Sequence, residues 1–224
     1  MTHLARLLQL ASPALPVGAY SYSQGLEAAV EAEGVTDAAT AERWIGDALC
    51  LSVAKFEAPV WWRLYSAWKA GDVEEVRRLN ALFCSTREAA ELRAETLQMG
   101  YSLRRLCVEL GEFEAGAVEG LESMEEIGFP TAFTFAASQW VIPPRDALVA
   151  YLWSWLENQV MAALKAVPLG QTDGQRLLLK LGKRLASIAE EAAAAEEATL
   201  ANFAPGLAIA SSRHESQYSR LFRS

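Results

Sequence analysis

Apolar residues three and four positions apart recur along nearly the whole chain, and the alternation of a half-buried strand is almost absent. That spacing restricts the chain to helices packed on helices. Leu4, Leu7, Leu8 and Ala11 form a short amphipathic stretch ended by Ser12, Pro13 and Pro16. In SYSQGLEAAVEAEG, Ser21 and Gln24 fit a capping box and Gly34 a C-terminal cap. Asp37 opens a third helix with Trp44, Ile45, Ala48, Leu49, Ser52 and Phe56 on one face. Pro59 fits the first turn of a fourth, whose face carries Trp61, Leu64, Tyr65 and Trp68 before Gly71. Asp72 with Glu75 and Ser85 with Glu88 mark two further starts. The second start leads into a long helix through Leu92, Thr96, Met99, Leu103, Leu106 and Leu110, with Arg93, Glu95 and Arg104 on a solvated face and Gly111 at its end.

Residues 112–145 are the least legible, with glycines at 116, 120 and 128 and prolines at 130, 143 and 144, and one or two short helices are expected there. Asp146 starts a Trp- and Leu-rich helix closed by Pro168 and Gly170, and Gln175 to about Ala201 resumes as a last long helix. With no repeat and no linker, the expected architecture is an all-α, single-domain bundle of roughly eight to ten helices, residues 1–208, followed by a tail, 209–224.

At 224 residues and 52% hydrophobic, such a bundle needs no disulfide or structural metal to hold a core. Cys50, Cys84 and Cys107 lie beside apolar neighbours without a CxxC partner, and read as buried thiols of a reducing compartment. The N-terminal apolar stretch lacks a long hydrophobic region and a small-residue cleavage site, so it does not read as a signal peptide. Residues 147–167 are nearly apolar, yet Glu157, Asn158, Gln159 and Lys165 interrupt them, which favours a buried central helix over a membrane span. A net charge of −8 without a basic stripe argues against nucleic acid.

Catalytic equipment is sparse. The two histidines, His3 and His214, stand near opposite ends, and His214-Glu215 lacks the second histidine of a zinc-protease helix. PLGQTDGQ has glycines but no Gly-Lys-Ser/Thr, and the acidic pairs Glu125-Glu126 and Glu196-Glu197 are adjacent in sequence and solubilising. No catalytic residue, metal site or cofactor is expected.

Three segments stand apart. SPALPVGAYSYSQGLE sets Tyr20 and Tyr22 on a proline-bounded loop where no helical stripe demands aromatics, and it fits either packing on its own helix or binding a partner. Lys165, near the end of the most apolar helix, fits either a dipole-complementing lysine or an interface residue. The last sixteen residues carry Arg213, Arg220 and Arg223 against Glu215, a charge of +2 that leaves −10 on the rest. Tyr218, Leu221 and Phe222 lie among those arginines without a helical stripe, so the segment either frays or buries them against something else.

Four stretches taken together resemble the UreF family of urease accessory proteins: LLQLASPALPVGAYSYSQGLE at 7–27, STREAAELRAETLQMGYSL at 85–103, NQVMAALKAVPLGQTDGQ at 158–175 and LAIASSRHESQYSRLFRS at 207–224. Residues 112–145 agree less, for the run ThrAlaPheThrPhe follows Phe129 and Pro130 where the family has a glycine. The resemblance implies an all-α, cytoplasmic, non-enzymatic chaperone of nickel insertion into urease. It implies a homodimer that binds UreD (UreH in some systems), recruits the GTPase UreG and docks on apo-urease. On the matching residues, the tail, with Arg213, His214, Glu215, Gln217, Tyr218, Arg220, Leu221, Phe222 and Arg223, is expected to order against UreD. The loop from Pro16 to Gln24, with Tyr20, Ser21, Tyr22, Ser23 and Gln24, is expected to form the surface for UreG together with Arg220. Lys165, Pro168, Gly170 and Gln171 are partner-binding by the same likeness.

The scaffold has two rivals. One is a regulator of UreG turnover using Arg220 or Arg213 as an arginine finger, though such a finger needs a rigid loop and these arginines lie on a terminus. The other is a metal carrier using His3 or His214, for which two dispersed histidines make a weak site. Truncation after Ile209 is expected to leave a folded body that captures neither UreD nor UreG.

Overall fold

A computed structural model describes residues 3–223, and Met1, Thr2 and Ser224, the last of them part of the expected tail, lie outside the described residues. Every regular element among the described residues is helical. The chain runs through α1 (His3–Leu10), a 3-10 turn (Ala19–Ser21), α2 (Leu26–Glu31) and α3 (Ala38–Ala48). A π-helical stretch (Leu49–Glu57) leads into α4 (Ala58–Ala70), followed by α5 (Val73–Ser85), α6 (Ala90–Leu110) and α7 (Ala115–Glu122). Then come α8 (Phe129–Gln139), α9 (Pro144–Ala166), α10 (Gln171–Gly182), α11 (Leu185–Ala194), a 3-10 turn (Glu197–Thr199) and α12 (Pro205–His214). The all-α single bundle is as expected. Among the described residues no helix is long and apolar enough to cross a membrane.

The core forms around α8, which packs against α4, α6 and α9 and is buried from Pro130 to Ser138. The stripe expected on α4 is all inside: Trp61, Leu64, Tyr65 and Trp68 are buried, and Trp61 sits among Tyr65, Phe133 and Tyr151. Two of the buried polar tips in this stripe have partners. Trp68 Nε1 donates to the Thr131 carbonyl and Tyr65 to that of Ile142. The α6–α8 contact is so close that a Cβ on Gly100 would stand 2.1 Å from the Ile127 carbonyl oxygen.

Several starts and stops differ from expectation. Pro59 stands in the first turn of α4, as expected, but that turn is not a free start, because the backbone continues from Ala38 to Ala70 through the π stretch. Proline lacks the N–H that would bond the carbonyl four residues back and crowds that carbonyl. Here that oxygen belongs to Lys55, and the Ala201 amide fills it at 3.3 Å. A widened turn beside a proline accommodates both effects. The stretch expected as one last helix divides into α10 and α11, and its alanine-rich end stops at Ala194. Arg63 takes the Ala195 carbonyl and Arg78 takes both Glu197 oxygens, so tertiary bonds override high helix propensity.

The 112–145 region resolves into α7 and α8, and the ThrAlaPheThrPhe run lies in the middle of α8, with Thr134 donating to the Pro130 carbonyl. Asn80 fixes the turn before it, donating to the Glu126 carbonyl and accepting from Gly128 N–H and the Thr131 hydroxyl. The α6 face expected to be solvated is instead engaged: Arg104 bonds the Met124 carbonyl, Arg93 pairs with Glu126, and Glu95 is buried. Cys84 and Cys107 are buried, whereas Cys50 is half-buried and accepts from Arg184 at 3.0 Å.

Candidate functional site

Of the last sixteen residues, expected to lack a helical stripe, 209–214 complete α12, which starts at Pro205, and those after it to 223 form a terminal strap, both lying on the body. α12 crosses α2 at Gly25, whose left-handed φ of 79° favours glycine and where a Cβ would be 2.9 Å from Ser211 N and Oγ. The cap of α2 is therefore Gly25 rather than the expected Ser21–Gln24 box, and the nearby Ser23 hydroxyl accepts from Glu27 N–H at 3.4 Å.

At the end of α12, His214 is completely buried between two helices. Its Nδ1 lies 2.6 Å from Glu91 of α6, and its Nε2 lies 3.2 Å from Glu27 of α2. The strap reuses the same two carboxylates. Leu221 and Phe222 donate their backbone N–H groups to Glu27 at 2.7 and 3.0 Å, and Arg220 reaches the other oxygen of Glu91 at 2.5 Å. Glu215 accepts the Ala90 N–H at 2.8 Å and so caps α6, a role expected of Ser85 and Glu88.

The loop joins this arrangement from the other side. Arg223 N–H donates to the Ser21 carbonyl at 2.8 Å. Tyr20 donates to Glu157 at 2.9 Å, and burial first and that carboxylate second push its phenol well above the usual range. Tyr22 and Ser23 are buried, and the Tyr22 carbonyl accepts from Asn158. Gln24 stands at φ 53°, held by donation to Glu95 and acceptance from Trp155, each at 2.8 Å. Lys165 brings the third segment in, its ammonium 5.4 Å from the centre of the buried Phe222 ring. Tyr20, Ser21, Lys165, Leu221, Phe222 and Arg223 line one open cleft.

The remaining expected residues are more peripheral. Pro168, Gly170 and Gln171 are exposed at the α9–α10 corner, where Gly170 N–H bonds Asp173 at 3.3 Å. Arg213 is exposed, Gln217 folds onto the Ser219 carbonyl, and Tyr218 and Leu221 project into solvent. Beneath the loop is a cavity of about 70 Å³ lined by Tyr20, Gln24, Glu57, Arg87, Glu95 and Tyr151 among others. Tyr151 donates to Glu57, and Arg87 is 3.3 Å from the same carboxylate. Among the described residues no group of three His, Cys, Asp or Glu side chains could hold a metal, and His214 has both nitrogens turned to carboxylates on opposite sides.

Magnitudes decide what holds the strap. Burying the Phe222 ring stabilises by about 2–3 kcal/mol, less than the roughly 1–2 kcal/mol per residue needed to order 215–223. The bonds to ionised groups, at about 1.5–3 kcal/mol each, make up most of the difference. Glu27 and Glu91 are thus the residues on which the arrangement depends, and sequence reading singled out neither. Their signal was position: Glu27 ends the first of the four stretches and Glu91 lies in the second.

The chain is an all-α protein in which a loop, three helices and a terminal strap meet at one polar surface, with Tyr218 and Leu221 projecting from it. A profile of the UreF family matches residues 35–182. "Urease accessory protein UreF" of Azoarcus sp. (strain BH72) is 60% identical over 99% of this chain and 95% of its own length. The protein of that name from Dechloromonas aromatica (strain RCB) is 56% identical over 99% and 97%, and that of Cupriavidus metallidurans 49% over 100% and 99%. The chain belongs to the UreF family. The profile stops short of both the loop and the tail, which the full-length relatives cover.

Proposed function

We propose that this chain is a scaffold of urease maturation: a cytoplasmic homodimer that binds UreD (UreH) and, with it, presents UreG to apo-urease for nickel insertion. The relatives' shared name, urease accessory protein, supports the role in maturation. The observation that carries the contact surface is the convergence of three of the four separated stretches on His214, Glu27 and Glu91, with the fourth reaching the strap where Lys165 lies over Phe222. Buried anchors fix a strap whose Tyr218 is fully exposed and whose Leu221 is 72% exposed, and aromatic and apolar side chains presented to water in this way suit a protein partner. The tail, 209–224, is the UreD element, and contact there completes its ordering. The loop from Tyr20 to Gln24 with Arg220 is the UreG element, and Lys165 with the Pro168–Gln171 corner extends it.

Co-purification tests this reading. A cut after Ile209 divides α12, so the cleaner variant ends at Glu215 and retains the helix and the α6 cap. It is expected to keep its helical signal and melting midpoint within a few degrees and to lose UreD and UreG. Tyr218→Ala with Leu221→Ala in the full chain should weaken capture at least tenfold, the scale of a hot-spot pair. Undiminished capture by either variant overturns the tail assignment. UreG turnover separates scaffold from regulator: a large acceleration lost in Arg220→Ala supports an arginine finger, and unchanged turnover with lost assembly supports the scaffold.

A further inference from the structure

We infer that docking of the tail carries one extra proton, held on His214 as an imidazolium, so that the partner surface is firmer at lower pH. The protonation follows from hydrogen-bond capacity. A neutral imidazole has one N–H donor and one lone-pair acceptor, and an ionised carboxylate only accepts. Both ring nitrogens face carboxylate oxygens, at 2.6 Å (Glu91) and 3.2 Å (Glu27). With a neutral ring, one lone pair points at an anion while the ring itself is completely buried.

A proton must therefore be added, and the surroundings assign it to the ring. Glu27 accepts the Leu221 and Phe222 amides on its two oxygens, and Glu91 accepts Arg220 on the oxygen that does not face the ring. Protonating either carboxyl weakens bonds that hold the strap. Protonating the ring strengthens both of its contacts and balances the charge, with Glu27 and Glu91 against Arg220 and His214.

The other charged groups nearby have their own partners. On α6, Glu95, one turn past Glu91, receives Gln24, and on α12 and the strap Glu215 is turned to Ala90 N–H. Arg213, next in sequence, is exposed to solvent, the Arg223 side chain bonds the Tyr22 hydroxyl, and Lys165 lies over Phe222.

An imidazole free in water is neutral above about pH 6.5, so above that pH docking takes up a proton. By linkage the docked population then falls with rising pH, by up to about tenfold in the docking constant per pH unit. Glu27 and Glu91 act as positioning residues, since they hold the groups that meet a partner. The functional meaning of this switch rests on the tail being the partner surface, but its chemistry does not.

The test uses the full chain alone, so its failure is distinct from failure of partner capture. With two histidines in the sequence, ¹⁵N-histidine NMR resolves His214 from His3. The expected result is a doubly protonated His214 at pH 7, with exchange protection of the Leu221 and Phe222 amides falling as pH rises from 6.5 to 8.5 beyond intrinsic exchange. Glu91→Gln supplies the control. Its amide can donate to Nδ1 while a neutral ring donates to Glu27 through Nε2, so docking should lose its pH dependence and be weakened only by the lost charge on the Arg220 contact. A neutral His214 at pH 7 with the tail docked, protection that is flat in pH, or an unchanged slope in Glu91→Gln overturns the inference.

Discussion

At Glu27 two backbone amides and an imidazole nitrogen meet one carboxylate, and the residues they belong to lie nearly two hundred positions away. Nothing in the local sequence announces such a role, because a glutamate in the first turn of a helix reads as a dipole-complementing acid. The same limit hid Glu215, which reads as a lone acid in a basic tail and is instead the cap of α6. An N-cap bond is worth about 1 kcal/mol. Glu215→Ala should therefore leave the global midpoint nearly unchanged and speed amide exchange at Ala90 about fivefold, measured by NMR. Unaltered exchange there would mean that α6 does not depend on this contact. What sequence did disclose at this scale were local caps: Asp37, which accepts the Thr40 N–H, opens its helix as expected, and Asp72 with Glu75 stands as expected.

Among the elements, α6 and α8 show where periodicity is informative and where it is not. The apolar positions Thr96, Met99 and Leu103 are buried as the three-and-four spacing requires. The spacing is silent on how closely the helices approach, and that distance is set by Gly100 against Ile127 and Gly128. Both contacts are backbone, so a methyl group has nowhere to go. Gly100→Ala is expected to lower stability by about 2–3 kcal/mol in urea unfolding, within the roughly 1–3 kcal/mol typical of overpacking. An unchanged midpoint would show that the two helices can separate freely. Sequence reading also failed wherever a distant side chain ended a helix, as Arg63 and Arg78 do beyond α11. Propensity is local, and those bonds cross more than a hundred residues.

For the whole molecule, the single bundle followed from helical spacing, hydrophobic content and the lack of any linker. The convergence of the four stretches did not, since relative placement of helices is a tertiary property. Burial pushes the Cys107 thiol up to about 12 and raises Cys84 as well, so neither is reactive while the core is intact. Native protein should take up one maleimide, at Cys50, and the other two only at the rate of global unfolding. Rapid labelling of all three in native buffer would show that α5 and α6 open independently of the rest.

The capping of α6 by Glu215 ties the two halves of the proposed surface into one thermodynamic unit. The opening turns of α6 hold the tail through Ala90 and Glu91, and the loop through Glu95. A ligand that lifts the tail loosens the turn on which Gln24 rests, and one that tightens the loop steadies the turn on which the tail rests. Whatever the coupling factor, it is the same in both directions. Two partners bound at the proposed loop and tail sites would therefore not bind independently: the order of their arrival would change the path of assembly and leave its total free energy unchanged.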